Sequence, residues 1–301
     1  MKSTFKSGFV AIVGRPNVGK STLLNNLIGE KIAIVSEKPQ TTRNKITGII
    51  NGDDYQFMLV DTPGMHKPKH KLGKFMISEI GRTLSNVDVV LFVVEATKNE
   101  PTNSDKYVIQ NLNNNHAPVI LIINKIDRVK KEEVLGVISN YKDLYDFNAV
   151  IPISAKTGDG LDRVIGEIKN IAPEGDRLFS EDEFTDQMER QLISEYIREK
   201  ALILLSDEVP HGVGINIVEM KDIPGKNIID IKADIVCEKE SHKAIIIGRN
   251  GKMLKKIGEL ARADIENMFG NRVYLELWVK VRKDWRNSSA ILYELGYKAE
   301  K

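Results

Sequence analysis

The sequence is poor in the features that mark secreted and membrane-spanning proteins. Its 301 residues include a single cysteine, Cys237, so an internal disulfide cannot form and a reducing compartment is expected. No apolar run approaches the roughly 20 residues that span a bilayer. The first residues run into a strand pattern without a cleavage site, which predicts no secretory leader. We therefore expect a cytoplasmic protein in which Cys237 is a structural thiol.

Net charge is nearly absent as well. The formal charge at pH 7 is +2 for the whole chain, so any attraction for nucleic acid has to come from a local cluster of basic residues. Such a cluster lies after residue 238, around one glycine loop and one strand pattern. The length is enough for about two domains of ordinary size.

Apolar, β-branched runs alternate with helical patterns through the first half of the chain. Runs that are apolar almost throughout suit a sheet covered by helices on both faces. This alternation predicts a doubly wound α/β domain with ligands at the carboxyl ends of its strands. The predicted strands are residues 9–14, 45–51, 55–61, 87–95, 118–124 and 149–154.

An acidic stretch with Pro and Gly, APEGDRLFSEDEFTD, divides two different patterns. It predicts a first domain over residues 1–172 and a linker over 173–189. Helix and strand patterns then follow in the order α-β-β-α-α-β, which predicts an α+β domain over 190–290 with a C-terminal tail over 291–301.

The segment GRPNVGKS follows a predicted strand and opens a predicted helix, the context in which G-x-x-x-x-G-K-[ST] binds phosphates. Its glycines let backbone N–H groups face the phosphates, and the positive end of the helix dipole attracts the phosphate charge. We expect Lys20 to contact the β- and γ-phosphates and Ser21 to bind magnesium. A glycine-rich turn without a ligand is the alternative. The predicted contacts are Gly14, Arg15, Pro16, Asn17, Val18, Gly19, Lys20, Ser21 and Thr22.

Two further segments are expected to meet the γ-phosphate. DTPG places Asp61 at the end of a predicted strand, where its carboxylate can reach magnesium through water. Gly64 leaves room for its backbone N–H to meet the γ-phosphate and to move when that phosphate leaves. In the TTR segment we favour Thr42 over Thr41 as a magnesium ligand, by analogy with GTPases that share it. Lys20, Thr42, Asp61 and Gly64 are the predicted catalytic residues, and Thr62, Pro63 and Met65 the further predicted contacts.

NKID predicts selection of a guanine base. The Asp127 carboxylate can accept hydrogen bonds from the ring N–H and the exocyclic amino group of guanine, and adenine offers neither donor at that edge. Asn124 and Lys125 are expected to brace the loop and pack on the base. Ser154, Ala155 and Lys156 complete the predicted pocket, with the Ala155 N–H meeting the guanine oxygen. These residues favour a GTPase over P-loop kinases and ATPases.

The residue after Gly64 is Met65, where many GTPases carry a glutamine that orients water. We therefore expect slow unassisted turnover, about 10⁻⁴ to 10⁻² s⁻¹. Asn17 occupies a position that binds potassium in some related GTPases, so potassium is a candidate cofactor beside GTP or GDP and Mg²⁺. Lysines around His66 and His70 argue against a metal site there and favour a mobile basic loop.

The segment IIIGRNGKMLKKIG places a G-x-x-G loop between two predicted helices. In a KH domain this loop approaches the phosphates of about four nucleotides of single-stranded RNA. A helix–turn–helix corner is the alternative, but the basic setting and the surrounding pattern favour RNA. The predicted RNA contacts are Gly248, Arg249, Asn250, Gly251, Lys252, Lys255 and Lys256, with Lys280, Arg282 and Lys283 extending the basic surface. Trp285 is expected either to stack on a base or to have a core or interface role.

Taken together, the chain resembles the bacterial Era family, which joins a GTPase domain to a C-terminal type II KH domain. The resemblance covers nearly the whole chain and rests on GRPNVGKSTLLN, QTTRNKI, DTPGMHKPKHKLG, NKID, ISAK, GRNG and LWVKVRKDWRN. It implies a P-loop GTPase that binds the 3′ end of small-subunit (16S) ribosomal RNA and assists small-subunit assembly, GTP favouring RNA binding. It also implies peripheral association with the inner face of the membrane, and we expect a monomer.

Two other functions stay open from the sequence. One is an RNA-binding assembly factor that uses GTP mainly as a structural ligand. The other is a membrane-associated regulator of the cell cycle, which no lipidation motif or long basic amphipathic helix supports. Measuring GTP hydrolysis in the presence of RNA tests the first alternative. Co-sedimentation with liposomes tests the second.

Overall fold

The computed structural model describes residues 5–36, 38, 40–65, 68, 70–113 and 115–297. The chain divides into two compact units. The first comprises residues 1–33, 42–67 and 76–186, and the second comprises residues 34–41, 68–75 and 187–301. The two short segments of the second unit therefore interrupt the first unit in sequence.

The first unit is built on a six-stranded sheet with the strand order β2-β3-β1-β4-β5-β6. The edge strand β2 is antiparallel to β3, and the other neighbouring pairs are parallel. Every residue of β4 is buried, as expected for a strand with helices on both faces. The predicted doubly wound α/β fold is confirmed. The strands are β1 (Lys6–Val13), β2 (Ile46–Asn51), β3 (Tyr55–Asp61), β4 (Val89–Glu95), β5 (Val119–Asn124) and β6 (Ala149–Pro152).

A helix follows each strand of this sheet except β2, which leads directly into β3. The first begins after Gly19 and ends before Gly29, and both glycines adopt the left-handed conformation that an L side chain disfavours. The third starts with a capping box in which Thr102 and Asp105 satisfy each other's backbone N–H groups. The helices are α1 (Lys20–Ile28), α2 (Lys71–Leu84), α3 (Asn103–Leu112), α4 (Lys131–Tyr141) and α5 (Leu161–Ile171).

The predicted linker packs against the first unit over much of its length. Single β-bridges join Glu174 to Lys6 and Thr185 to Gly48. Between them the buried side chain of Gln56 accepts hydrogen bonds from the backbone N–H groups of residues 178 and 179, at 2.7 and 2.9 Å. We call residues 174–185 the edge segment. Its acidic, aperiodic sequence gave no sign of these bonds, because they are made by backbone groups.

The second unit contains a three-stranded sheet in the order β7-β8-β9, with β7 antiparallel and β9 parallel to β8. Its apolar core includes buried residues of the helices and of the inner sheet face. The order α-β-β-α-α-β of the type II KH fold is confirmed, and a short helix follows it. The elements are α6 (Glu189–Leu204), β7 (Gly214–Asp222), β8 (Ile228–Cys237), α7 (Glu240–Ile247), α8 (Lys252–Phe269), β9 (Arg272–Val281) and α9 (Ser289–Glu294).

Within the described part of the chain, each helix is too short or too polar to cross a membrane. Cys237 is fully buried at the end of β8, and burial raises the pKa of its thiol, as expected for a structural cysteine.

Candidate functional site

The loop between β1 and α1 has the backbone that a phosphate loop requires. Gly14, Asn17 and Gly19 have positive φ angles of 153°, 66° and 101°. A Cβ atom at Gly14 would lie 2.4 Å from the Val93 carbonyl oxygen, and one at Gly19 would lie 2.3 Å from Nδ2 of Asn124. Both glycines are therefore fixed by close packing as well as by their dihedral angles.

Three of the predicted magnesium contacts lie together at one end of this loop. The Ser21 hydroxyl donates to Oδ2 of Asp61 at 2.6 Å, and the Thr42 hydroxyl donates to the same oxygen at 3.1 Å. The two hydroxyl oxygens are 3.0 Å apart. Asp61 is completely buried, and burial raises the pKa of its carboxyl, opposed by Lys20 and by the two hydroxyl groups. Hydroxyl and carboxylate oxygens are the ligands that Mg²⁺ prefers.

Lys20 lies beside this oxygen cluster at the start of α1. Its ammonium group is buried and donates to the Arg15 carbonyl at 3.3 Å. Burial lowers the pKa of Lys20, and the Asp61 carboxylate counteracts that shift. A buried cation next to a hydroxyl–carboxylate cluster is the arrangement expected for binding phosphate and metal together.

The two threonines of TTR differ in what they bind. The Thr41 hydroxyl donates to the Lys38 carbonyl at 2.6 Å and so stabilises its own loop. Thr42 is the one that reaches Asp61. This geometry agrees with the choice of Thr42 over Thr41.

The segment after β3 is bonded to the phosphate loop. The Thr62 hydroxyl donates to the Ile12 carbonyl at 2.8 Å, and the Met65 N–H donates to the Gly14 carbonyl at 3.3 Å. A Cβ atom at Gly64 would lie 2.7 Å from Cγ of Pro16. The Met65 side chain is buried in the apolar core and presents no group that could orient water.

The predicted base-binding residues lie at the ends of β5 and β6. The Ser154 hydroxyl donates to Oδ1 of Asp127 at 2.7 Å, while the rest of the Asp127 side chain is exposed. Asn124 donates to the Val18 carbonyl at 2.8 Å. The Ala155 N–H, predicted to meet the guanine oxygen, donates instead to Oδ1 of Asn124 at 2.8 Å. A base oxygen would have to share or replace that bond. Lys156 is exposed beside it.

Arg15 is part of the phosphate loop, but its side chain points to acidic groups. Its guanidinium contacts the carboxylates of Glu95 and Asp105, at 2.5 and 3.4 Å. The loop therefore offers a ligand the Arg15 backbone, while the guanidinium anchors the loop. Neither Glu95 nor Asp105 is among the site residues predicted from the sequence. An acidic residue at the end of a buried strand, at the edge where the other motifs lie, is the signal that could have identified Glu95.

The described residues of the segment 34–41, which precedes Thr42, belong to the second unit. Ile34 belongs to the apolar core of that unit. The Val35 N–H donates to the Glu199 carboxylate of α6 at 3.0 Å. Arg198 donates to the Thr41 carbonyl, and Lys38 donates to the carbonyls of Leu202 and Leu205 at the end of α6. Val35, Lys38 and Thr41 are thus bonded to α6 within the second unit.

The predicted RNA-binding loop connects α7 and α8 by a single tight turn. Gly248 and Gly251 have φ angles of 73° and 74°, and Asn250 has a φ of 53°. A Cβ atom at Gly248 would lie 2.6 Å from Cβ of Met253, whereas one at Gly251 meets no atom within 4 Å. Gly248 is required for packing, and Gly251 leaves open space at the surface. The exposed side chains around the turn are Arg249, Asn250, Lys252, Lys255 and Lys256.

The basic residues near the end of β9 differ in their surroundings. Lys280 is 2.6 Å from the buried carboxylate of Asp234, and Arg282 is 3.4 Å from the Glu294 carboxylate. These acidic partners reduce the local positive charge. Lys283 is exposed. Trp285 is fully buried and donates its indole N–H to the Gly212 carbonyl at 2.9 Å, which makes it a core residue.

Comparison with protein families and known proteins agrees with both halves of this description. Residues 9–125 match a family described as 50S ribosome-binding GTPases, and residues 208–286 match the KH domain family. GTPase Era of Ruminiclostridium cellulolyticum is 52% identical over 298 residues, covering 99% of each chain. The chain belongs to the Era family of GTPases.

Other relatives agree with this assignment. GTPase Era of Alkaliphilus metalliredigens is 51% identical over 98% of this chain and 99% of its own length. A crystal structure of an Aquifex aeolicus Era variant bound to GDP and AlF₄⁻ matches with a TM-score of 0.94 and 41% identity, covering 98% of this chain and 100% of that one. A structure of Era in complex with MgGDPNP and nucleotides 1506–1542 of 16S ribosomal RNA matches with the same values.

Membership of the Era family confirms the predicted GTPase with a KH domain. One prediction falls largely outside the described residues. His66, Lys67 and Lys69 of the predicted basic loop are not described, so that loop stays a prediction, although its residues 71–74 form the start of α2. Potassium at Asn17 also stays a prediction, although the Asn17 carbonyl accepts a hydrogen bond from the Lys125 ammonium at 2.7 Å.

Proposed function

We propose that this GTPase is a switch whose nucleotide state controls binding to the 3′ end of small-subunit ribosomal RNA, and that it assists assembly of the small subunit. An Era protein of the same fold binds MgGDPNP and nucleotides 1506–1542 of 16S ribosomal RNA. This structure supports the proposal because the match covers 98% of this chain and 100% of that one.

The observation that carries the nucleotide half is the meeting of Ser21, Thr42 and Asp61 within 3.1 Å of one another. These residues come from three separate segments, and a purely structural explanation gives no reason to bury a carboxylate against two hydroxyls beside Lys20. In the proposed site Ser21 and Thr42 bind Mg²⁺ directly and Asp61 binds it through water. The ion supplies positive charge at the β- and γ-phosphates when bound.

The chain's own residues orient the rest of the nucleotide. Lys20 and the backbone N–H groups of the loop bind phosphate oxygens, and Gly64 allows its N–H to approach the γ-phosphate. Asp127, held at one oxygen by Ser154, keeps the other oxygen available for a guanine donor. Because Met65 cannot orient water, hydrolysis is expected to be slow without a partner.

The RNA half of the proposal is supported by the glycine turn between α7 and α8. Its exposed basic side chains surround the open space at Gly251, so a phosphate backbone can approach closely there. Lys280, Arg282 and Lys283 extend this surface in the proposal. The acid partners of the first two predict that they contribute less than the residues of the turn.

The test is single-turnover GTP hydrolysis with and without an RNA oligonucleotide that copies the 3′ end of small-subunit ribosomal RNA. Stimulation by this RNA, and none by a scrambled RNA of equal length, is the expected result. Hydrolysis that RNA leaves unchanged, with RNA binding intact, would favour GTP as a structural ligand. If the protein did not bind this RNA in any nucleotide state, the proposed function in assembly would be contradicted.

We propose further that the protein acts in the cytoplasm, with peripheral association with the inner face of the cell membrane. The single buried cysteine supports a reducing compartment such as the cytoplasm. The family resemblance supports the membrane association. Co-sedimentation with anionic liposomes in both nucleotide states tests the association, and protein that stays in the supernatant with all vesicles contradicts it. The alternative function, a membrane-associated regulator of the cell cycle, also depends on this association.

A further inference from the structure

Glu95, the last residue of β4, bonds to two cations from two different loops. Its side chain is 10% exposed. Oε1 lies 2.5 Å from Nη2 of Arg15, and Oε2 lies 2.5 Å from Nζ of Lys125. One carboxylate therefore uses both of its oxygens, each for a different partner.

Each of these cations belongs to a loop of the nucleotide site. Arg15 lies in the phosphate loop, and Lys125 follows β5 in the segment that is proposed to bind guanine. The Lys125 ammonium also donates to the Asn17 carbonyl of the phosphate loop at 2.7 Å. Glu95, Lys125 and Asn17 thus form a continuous connection between the two loops.

A second carboxylate fixes the other side of Arg15. Oδ1 of Asp105 is 3.4 Å from Nε of Arg15. Oδ2 of Asp105 accepts hydrogen bonds from the Thr102 N–H at 2.9 Å and from the Tyr141 hydroxyl at 3.0 Å. Asp105 is completely buried, so these bonds hold it in one position. The Arg15 guanidinium is consequently hydrogen-bonded at the end of β4 and forms an ion pair at the start of α3.

The charges in this network match. Burial raises the pKa of the Glu95 carboxyl, but hydrogen bonds from Lys125 and Arg15 outweigh that effect, and the pKa lies below its ordinary value. Glu95 is therefore ionised at neutral pH. A neutral amide at this position would still leave Asp105 for Arg15, but Lys125 would lose its carboxylate partner and keep only the Asn17 carbonyl.

We propose that Glu95 is a positioning residue that holds the phosphate loop and the guanine-binding loop in register, so that binding of the phosphates and binding of the base reinforce each other. It acts through Arg15 and Lys125 rather than on the nucleotide itself. The proposal rests on the nucleotide site described under the proposed function.

The experiment measures release of a fluorescent GDP analogue by stopped flow, together with single-turnover hydrolysis at saturating GTP. We expect Glu95→Gln to release GDP about tenfold faster while the hydrolysis rate changes by less than about threefold. The affinities for guanosine alone and for pyrophosphate alone should each fall by less than about threefold, because neither fragment occupies both loops. Glu100→Gln, on an exposed carboxylate of the same unit, is the matched control.

A second variant separates charge from geometry. Glu95→Asp keeps the charge but is one methylene shorter, so it cannot reach both cations, and we expect fast release here too. Normal GDP release from both variants would overturn the proposal, as would a full tenfold loss of affinity for guanosine or pyrophosphate alone. Failure of the unsubstituted protein to bind the GDP analogue would instead contradict the proposed function.

Discussion

One amide side chain, that of Asn124, joins three loops around the nucleotide site. Nδ2 donates to the Val18 carbonyl, and Oδ1 accepts from the N–H groups of Lys125 and Ala155, at 2.8, 2.7 and 2.8 Å. The residue is 2% exposed. A buried amide with this many partners is costly to replace, because each partner would lose its bond. Asn124 is thus a structural member of the site, in agreement with its predicted role in bracing the loop.

Asp127 gives the sharpest prediction at the scale of a residue. Asp127→Asn should weaken GTP binding about 100-fold or more, because an amide cannot accept both guanine donors and places its own donor against one of them. The same variant should gain affinity for xanthosine triphosphate, whose carbonyl replaces the exocyclic amino group. Fluorescence titration with both nucleotides measures the exchange. Asp143→Asn, at an exposed carboxylate, is the control, and equal losses for the two nucleotides would contradict the assignment.

Asn17 is the basis of a second prediction at this scale. If Asn17 helps to bind a potassium ion beside the phosphates, hydrolysis should be about tenfold or more faster in potassium than in sodium chloride at equal ionic strength, because a fixed cation stabilises the developing charge. Asn17→Gly, which removes the side chain but tolerates the positive φ of 66°, should remove the difference and leave the rate in sodium nearly unchanged. Equal rates in the two salts for the unsubstituted protein would exclude the ion.

At the scale of an element, the turn between α7 and α8 separates two glycines that look equivalent in the sequence. Gly248 faces Met253 at a distance that excludes any side chain, whereas Gly251 faces open space. The motif G-x-x-G alone could not show this difference, because it depends on how α8 packs behind the turn. A substitution at Gly248 would therefore disturb the packing of the turn against α8. A substitution at Gly251 changes only the exposed surface and can test RNA binding.

We therefore expect Gly251→Asp to reduce RNA affinity by about tenfold or more, since it places a negative charge where a phosphate is proposed to approach. Asp is among the residues that best tolerate a positive φ. Fluorescence anisotropy with the RNA oligonucleotide measures the loss, and basal GTP hydrolysis should not change.

Gly225→Asp is the matched control for this variant, because Gly225 also has a positive φ of 73° and open space around it, in the turn between β7 and β8. If Gly225→Asp weakened RNA binding as much as Gly251→Asp, the turn between α7 and α8 would not be the binding loop.

Strand β9 shows how an alternating pattern identifies two faces without assigning them. Val273 and Val279 are buried, while Tyr274 and Trp278 are 55% and 46% exposed on the opposite face. Of the roles predicted for Trp285, the core role is the one that the structure shows, and it is Trp278 that reaches solvent. The two faces of β9 could be predicted from the sequence because the alternation has a period of two residues. The burial of Trp285 could not be predicted in this way, because it depends on contacts with a residue 73 positions away.

At the scale of the whole molecule, the edge segment changes where the first unit ends. It bonds through its own backbone to Ile49, at 2.9 Å from the Phe184 carbonyl, and to the side chain of Gln56. The composition of this stretch indicated a linker, because acidic residues with Pro and Gly are typical of linkers. Hydrogen bonds of backbone groups leave no trace in composition, so the end of the unit at residue 186 could be found only in the structure.

This assignment predicts that a fragment of residues 1–186 is more stable than one of residues 1–172. Loss of the edge segment removes several hydrogen bonds worth about 1 kcal/mol each, and the midpoint of thermal unfolding should fall by about 5 °C or more. Differential scanning calorimetry of both fragments measures it. Gln56→Ala should destabilise the longer fragment more than the shorter one. Equal midpoints for the two fragments would show that the edge segment is a linker after all.

The sequence by itself determined the fold class of both units, the strand order along the chain and the identity of the nucleotide-site motifs. Those features depend on local periodicity and on residue types at fixed spacings, which a single sequence contains. Tertiary structure alone decided that Glu95 joins Arg15 to Lys125, that the edge segment bonds to Gln56, and that Val35, Lys38 and Thr41 bond to α6. The physical reason is common to all three: each depends on a distance between residues far apart in the chain, and that distance exists only after the chain has folded.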